Sequence, residues 1–253
     1  MAFQMIQKMI ITVVLIAIII GVVAYENTQW QRQNYASEVA YATTLLEQAG
    51  DFIREHASHG GQTTLGTPLQ FGSFTLTQQG ICIVRFDVGG GNTITLYQGL
   101  YNQLQYQTAN AVYSETWVFD RGDRARAYAT TPSYIDAVYH YSTTGYTYAD
   151  LRTATYVAIT KTTNMLSITI YVFRLDSSGK GGSGAFTLSS KTTSVGEHLR
   201  FMAPSGGANP ALYVQTGNGP DEHPLDQSVP LPVLSAGDLI DITVNQVAVT
   251  ITW

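Results

Sequence analysis

Residues 9–25 have the sequence MIITVVLIAIIIGVVAY, a run that contains neither a charged residue nor a proline. As a helix rising about 1.5 Å per residue, this run extends roughly 25 Å, and residues 1–25 together extend roughly 37 Å. That length suffices to cross a bilayer. The run is longer than the apolar core of a secretory signal peptide, and no small-x-small cleavage site follows it at Tyr25-Glu26-Asn27. We therefore expect the mature protein to retain it, either as a permanent membrane anchor or as a helix that later packs inside a filament.

The helical pattern continues beyond Tyr25 but becomes amphipathic. Chain breakers are scarce, since the first proline is Pro68 and the only glycines before Gly60 are Gly21 and Gly50. We predict one unbroken helix from about Phe3 to about Ala57, roughly 80 Å long. Its second half carries a single apolar stripe at spacings of three and four, formed by Trp30, Val39, Ala42, Leu45, Leu46, Ala49, Phe52 and Ile53.

The rest of the chain has the pattern of strands. The cluster GGQTTLGTP at residues 60–68 ends the predicted helix, and from there to Trp253 apolar residues alternate with a period of two. Turn-forming clusters rich in Gly, Asn, Asp and Ser separate the alternating segments. Many short strands with no convincing helix indicate a β-sandwich, immunoglobulin-like or related. The alternating positions include Phe71, Phe74, Leu76, Ile81, Ile83, Phe86, Ile94, Leu96, Leu104, Tyr106, Ile168, Ile170 and Val172.

These patterns predict an α+β fold with one long N-terminal helix and an all-β globular head. The helix occupies residues 1–58, apolar over 1–25 and amphipathic over 26–58. A Gly/Thr-rich joint at residues 59–68 follows, and the β-sandwich head covers residues 69–253.

The C-terminal segment predicts an integral strand of the sandwich. Val247, Val249, Ile251 and Trp253 alternate on one face of it. A terminal tryptophan has a large apolar area to bury, so we expect Trp253 to pack inward or against the helix near Phe52 and Ile53. For the single cysteine, Cys82, no intramolecular disulfide is available, and the alternation leaves open whether its face or that of Ile81 is buried.

Composition and motifs exclude several function classes. Charged residues make up 12% of the chain against 45% hydrophobic ones, with a net charge of −5, which excludes a nucleic-acid binder that works through a basic surface. No hydrolase, zinc-protease, P-loop or dinucleotide motif occurs. The pair His56 and His59 and the acidic loop containing Asp221, Glu222, His223 and Asp226 are interpreted as structural rather than metal-binding. We therefore expect no enzymatic activity, no cofactor and no metal.

A long helix that starts apolar and turns amphipathic, joined through a Gly-rich segment to a β-rich head, resembles a type IV pilin. The residues that carry the resemblance are 1 to about 58, above all the apolar stretch 9–25. Bacterial members typically have Glu at mature position 5 and a C-terminal disulfide loop. Here position 5 is Met5 and Cys82 has no partner, so the resemblance is to the archaeal pilin and archaellin branch.

The resemblance implies a structural subunit of an extracellular, cell-surface helical filament, with surface adhesion as the expected role. Swimming, DNA uptake and virus attachment stay open as alternatives. The expected partners are copies of the same chain, the membrane before assembly, and a surface or virus receptor contact. A membrane-anchored binding protein whose helix stays in the bilayer is the alternative class. The residues expected to form the filament core are Met9, Ile10, Val13, Leu15, Ile16, Ile19, Val22 and Val23.

Three further features have two interpretations each. Lys8 either sets the register against a neighbouring helix or extends its ammonium to a membrane boundary, and the second is favoured. Gly21 either permits close helix approach or is merely tolerated. The tripeptide Arg121-Gly122-Asp123 matches a known adhesion signal, but its charged surroundings favour an ordinary hairpin turn.

Overall fold

The computed structural model shows a single long helix followed by a large β domain, the predicted α+β fold. Helix α1 spans Ala2–Glu55, 54 residues without a break at Gly21, which confirms the predicted continuous helix. The structure describes residues 2–57, 59–66, 68–88, 93–110, 113, 117–122, 127–128, 136–179, 181–195, 198–203, 210–216 and 225–253, with side chains omitted for 2–8, 225–226 and 230.

Fourteen strands are present among the described residues. This number exceeds the seven to nine strands of an immunoglobulin domain. The strands are β1 (Gly61–Leu65), β2 (Gly72–Asp87), β3 (Thr93–Ala109), β4 (Val118–Arg121), β5 (Ala127–Tyr128), β6 (Asp136–Thr143), β7 (Tyr146–Thr153), β8 (Thr155–Lys161), β9 (Met165–Ser177), β10 (Phe186–Ser194), β11 (Leu199–Met202), β12 (Ala211–Thr216), β13 (Leu225–Pro230) and β14 (Leu239–Thr252).

The strands form two sheets of seven. Sheet one has the order β1-β10-β14-β9-β8-β5, with β11 also paired to β14, and sheet two has the order β13-β12-β2-β3-β7-β6-β4. Most pairs are antiparallel, but β14 runs parallel to β9 along thirteen residues. The last strand of the chain therefore lies inside its sheet and not at an edge.

The two sheets contact each other directly at one end and enclose the helix at the other. One apolar cluster joins Val84, Phe86 and Leu212 of sheet two to Ile168 and Ile240 of sheet one, with no helix residue in it. A second cluster contains residues of both sheets together with the buried stripe of α1, namely Val39, Ala42, Leu45, Leu46, Ala49, Phe52 and Ile53. The second half of α1 thus forms part of the core of the β domain.

Two sequence predictions change in detail. The predicted joint at residues 59–68 is partly a strand, because β1 (Gly61–Leu65) pairs with β10 along its whole length. In β2, Cys82 and Val84 face the core whereas Ile81 is exposed. The strand carries irregularities near Gly80 and Arg85. Cys82, Val84 and Phe86 keep a regular alternation, with Ile81 and Ile83 on the opposite face. Both faces are apolar at this point, which is why a simple period of two did not assign the buried one.

The C-terminal strand is an integral member of the sandwich, as predicted. Val247, Val249 and Ile251 are fully buried. The Trp253 ring lies 5.5 Å from the ring of Phe186 and 6.4 Å from that of Phe74, measured between centroids. Of the two predicted packing sites for this tryptophan, the inward one is observed.

Candidate assembly surface

The first half of α1 projects from the β domain as an exposed apolar rod. Its large apolar residues from Met9 to Val23 are each between 51% and 69% exposed, on every side of the helix. The most apolar stretch of 18 residues has a mean hydropathy of 2.6, and none of it is buried within the chain. By length and composition this helix suffices to cross a membrane. All eight predicted filament-core residues lie on this rod: Met9, Ile10, Val13, Leu15, Ile16, Ile19, Val22 and Val23.

A carboxylate on the helix fixes the rod to sheet two. Glu38 accepts hydrogen bonds from the backbone N–H groups of Gln70, Phe71 and Gly72 at 2.8, 3.0 and 2.8 Å. The hydroxyl of Tyr106 donates to the same carboxylate at 2.8 Å. Burial, followed by the hydrogen bond to Glu38, raises the pKa of Tyr106, so this phenol stays protonated and remains a donor. One side chain thereby satisfies three N–H groups where β2 begins.

A buried ion pair makes a second attachment. The Arg121 guanidinium donates to Asp136 at 2.8 Å, and its other terminal nitrogen contacts the Asp51 carboxylate at 3.1 Å and the Glu47 carbonyl at 3.0 Å. Asp136 is fully buried. Burial raises the pKa of Asp136, while the hydrogen bond from Arg121 acts in the opposite direction. Removing one member of such a pair leaves an uncompensated buried charge, so the contact is costly to break. Since Arg121 joins Asp136 in sheet two to Asp51 and Glu47 on α1, it holds the helix against the β domain.

The same contact involves the first residue of the possible adhesion tripeptide. Arg121 of the tripeptide Arg121-Gly122-Asp123 is only 8% exposed and is engaged with the helix. Gly122 has a positive φ of 71°, typical of a tight turn. Asp123 lies outside the described residues. The arginine of the tripeptide is therefore engaged within the fold and not presented at the surface.

Gly50 is required where the helix passes this ion pair, which gives a direct prediction. A methyl group at Gly50 would lie 2.2 Å from Oδ2 of Asp136 and 3.0 Å from Nη2 of Arg121. We expect Gly50→Ala to lower the free energy of unfolding by about 1–3 kcal/mol, because the overlap displaces the ion pair. Thermal melting of the full chain in detergent measures this.

Gly21 provides the matched control, since an added Cβ there meets no atom within 4 Å. The same exchange, Gly21→Ala, removes no contact and raises helix propensity by about 1 kcal/mol. An equal response of the two variants would contradict the role assigned to Gly50.

A groove lies where the exposed helix meets the β domain. It has a volume of about 410 Å³ and is open to solvent on one side. Trp30 is 63% exposed, and the Tyr35 ring packs on that of Phe71 with centroids 4.5 Å apart. Trp30 was assigned from its spacing to the apolar stripe of the helix, and that assignment is wrong, because the buried stripe begins at Val39. The groove is lined by Trp30, Asn34, Ser37, Glu38, Tyr41, Pro68, Leu69, Gln70 and Phe71.

A second polar cluster lies within sheet two, where the sequence indicated none. The carboxylate of Asp150 is fully buried and accepts a hydrogen bond from Gln103 at 3.0 Å, while Tyr139 donates to Gln103 at 3.2 Å. Trp117 stacks on Tyr139 and Tyr141 with centroid distances of 4.9 and 4.8 Å. Burial raises the pKa of Asp150 to about 7. The hydrogen bonds join β3, β6 and β7, so the cluster holds these strands in register.

His56 and Cys82 have structural environments. Nδ1 of His56 lies 3.0 Å from the Phe52 carbonyl, and the two rings stack with centroids 4.4 Å apart. Burial raises the pKa of the Cys82 thiol to about 11, so the unreactive thiol form predominates at neutral pH. Among the residues that the structure describes, no group of three potential metal ligands occurs. Residues 221–223 and the side chain of Asp226 lie outside the described part of the chain, as does the Lys8 side chain.

Comparisons of the chain with protein-family models, with curated proteins and with solved structures found no match. Function is therefore inferred from the geometry and chemistry of the chain itself.

Proposed function

We propose that this protein is the structural subunit of an extracellular helical filament, and that it self-assembles through residues 9–25 of α1. The observation that carries the proposal is the exposed apolar rod, rigidly continuous with a helix that is buried in the β domain. In the filament the rods form the core and the β domains form the outer surface. Burying roughly 2,000 Å² of apolar area per subunit corresponds to an upper bound on the order of 50 kcal/mol.

The shape of the molecule supports an open polymer rather than a closed oligomer. A helix that is apolar on all sides has to contact several neighbours at once. Copies related by a repeated rotation and rise satisfy this requirement for every subunit, and they extend into a filament. The alternative is a membrane-anchored surface protein whose rod stays in the bilayer, and the mean hydropathy of 2.6 supports that alternative equally. Before assembly the rod of a filament subunit also resides in a membrane. The filament subunit and the anchored protein therefore differ only in the final location of the rod, which is the filament core in one and the bilayer in the other.

An extracellular location and a role in surface adhesion belong to the same proposal. In such a filament the β domains form the surface that meets other cells or materials. Because Arg121 is committed to the helix, adhesion would depend on other exposed residues of the β domain.

The test replaces one rod residue with a charge. Ile16 is 52% exposed in the single chain and becomes buried in the filament core. We expect Ile16→Asp to abolish filaments, because an unpaired carboxylate in that core costs several kcal/mol per subunit. Ile16→Leu, which keeps the apolar volume, should assemble normally. Electron microscopy of material sheared from the cell surface measures assembly.

Two outcomes count against the proposal. Filaments that form normally from the Ile16→Asp chain would show that the rod is not their core. A wild-type chain found only in detergent-extracted membranes, with none in sheared filaments, would favour the permanent anchor instead.

A further inference from the structure

The rod has one charged residue at each end of its apolar surface. Lys8 and Glu26 are the only charged side chains in residues 1–31. They are 18 residues apart within one continuous helix. At 3.6 residues per turn, 18 residues make five complete turns, so the two positions lie on the same side of α1 and about 27 Å apart along its axis.

The structure shows which side of the helix this is. Thr44 follows Glu26 by another 18 residues, so it marks the same side where the helix passes the β domain. Thr44 is exposed, while Val39 and Ala42 on the core-facing stripe are fully buried. Lys8 and Glu26 therefore occupy the side of the helix that faces away from the β domain. Apart from Thr12, the positions between them on that side are apolar: Ile11, Leu15, Ile19 and Val22.

In a filament with β domains outside, this side faces the filament axis. Both charges then enter an apolar core, where an unpaired ammonium or carboxylate is costly. Within one chain the two groups are about 27 Å apart, too far to pair. A second copy displaced by about 27 Å along the axis brings its own Lys8 to the level of Glu26. Because both positions face the filament axis, Lys8 of the displaced copy and Glu26 of the first copy lie close together near the axis. This holds for any rotation that relates the two copies.

We propose that Lys8 of one copy pairs with Glu26 of another copy displaced by about 27 Å, and that this ion pair sets the axial register of the subunits. This inference rests on the proposed filament function. It also accounts for the membrane-bound state, because about 27 Å is close to the thickness of the hydrocarbon core. There, Lys8 and Glu26 lie near the two boundaries of the bilayer, where each remains hydrated.

The test exchanges the two charges. Lys8→Glu alone and Glu26→Lys alone each place like charges together in the core, and we expect each to reduce the fraction of chains in filaments by more than about tenfold. The double variant with both exchanges restores the opposite pair and should restore assembly. Arg32→Glu reverses a charge six residues after Glu26 on another side of the helix, and it should assemble as the wild type does.

Cysteine cross-linking tests the register directly. In a Cys82→Ala background, Lys8→Cys combined with Glu26→Cys should give a ladder of disulfide-linked subunits when filaments are oxidised. Lys8→Cys combined with Val22→Cys offsets the second thiol by about 6 Å along the axis and should give far less cross-linking.

The outcomes separate this inference from the proposed function. If the wild-type chain forms no filaments, the proposed function fails. If the wild type assembles but the single reversals assemble equally well, or the double exchange does not restore assembly, the ion pair is overturned. Equal cross-linking of the two cysteine combinations would overturn the register.

Discussion

Deletion of residues 247–253 is expected to unfold the β domain completely. These residues form the second half of β14, which pairs with β10 on one side and with β9 on the other. The deletion removes three fully buried apolar side chains and six of the eight residue pairs through which β14 holds β10 in sheet one. Each such side chain contributes about 1.5–3 kcal/mol, and the lost strand pairing adds to this, against a typical total stability of 5–15 kcal/mol.

Circular dichroism of the full-length chain in detergent measures the outcome, as loss of the cooperative thermal transition. A matched pair of substitutions isolates the cause. Ile251 is fully buried and Thr252 is exposed on the opposite face of the same strand. Ile251→Asn should lower the melting temperature strongly, while Thr252→Asn should change it little. A truncated chain that melts at the wild-type temperature would show the strand to be dispensable.

The stability of the β domain is expected to fall as the pH rises from about 4 to about 7, in part because of Asp150. Burial raises the pKa of this carboxyl group to about 7, whereas in the unfolded chain it is about 4. The folded state therefore binds the proton more tightly. The stabilisation is complete below the unfolded pKa and is lost as the pH rises through the folded one, by an amount on the order of 4 kcal/mol.

Asp150→Asn tests this expectation, because the amide keeps the size of the side chain and does not ionise. The variant should be more stable than the wild type at pH 8, and the difference should shrink as the pH falls below 5. Chemical denaturation at a series of pH values measures both quantities. Burial also raises the pKa of Asp136, which is present in both chains. Its contribution cancels in the difference between the free energies of unfolding of the wild type and the variant. A constant difference across the range would contradict the assignment.

The helix and its change of character could be predicted from sequence alone. No proline precedes Pro68, so nothing in residues 2–55 interrupts the backbone hydrogen bonds, and the apolar run ends at Tyr25 where charges begin. The apolar stripe from Val39 to Ile53 could also be predicted, because a period of 3.6 residues places these residues on one face of the helix. Trp30 was misassigned because it precedes Val39 by nine residues, or two and a half turns, which places it on the opposite side of the helix from the stripe.

The alternation in the β region likewise determined the strands and, in β14, the buried face. It did not determine the face in β2, because Ile81 and Ile83 on one face are as apolar as Cys82, Val84 and Phe86 on the other. A local pattern identifies the buried side of a strand only when one side is apolar and the other is polar.

What the tertiary structure decided is which distant residues meet. Glu38 satisfies three backbone N–H groups more than 30 residues away, and Arg121 reaches Asp51 across 70 positions of the chain. Nothing in the local sequence distinguishes Gly50, which must be glycine, from Gly21, which lies in open space. Side-chain periodicity fixes the face of an element, whereas contacts between elements depend on strand order and on the path of the chain. The apolar rod was therefore evident from sequence, and its attachment to the β domain was visible only in the folded molecule.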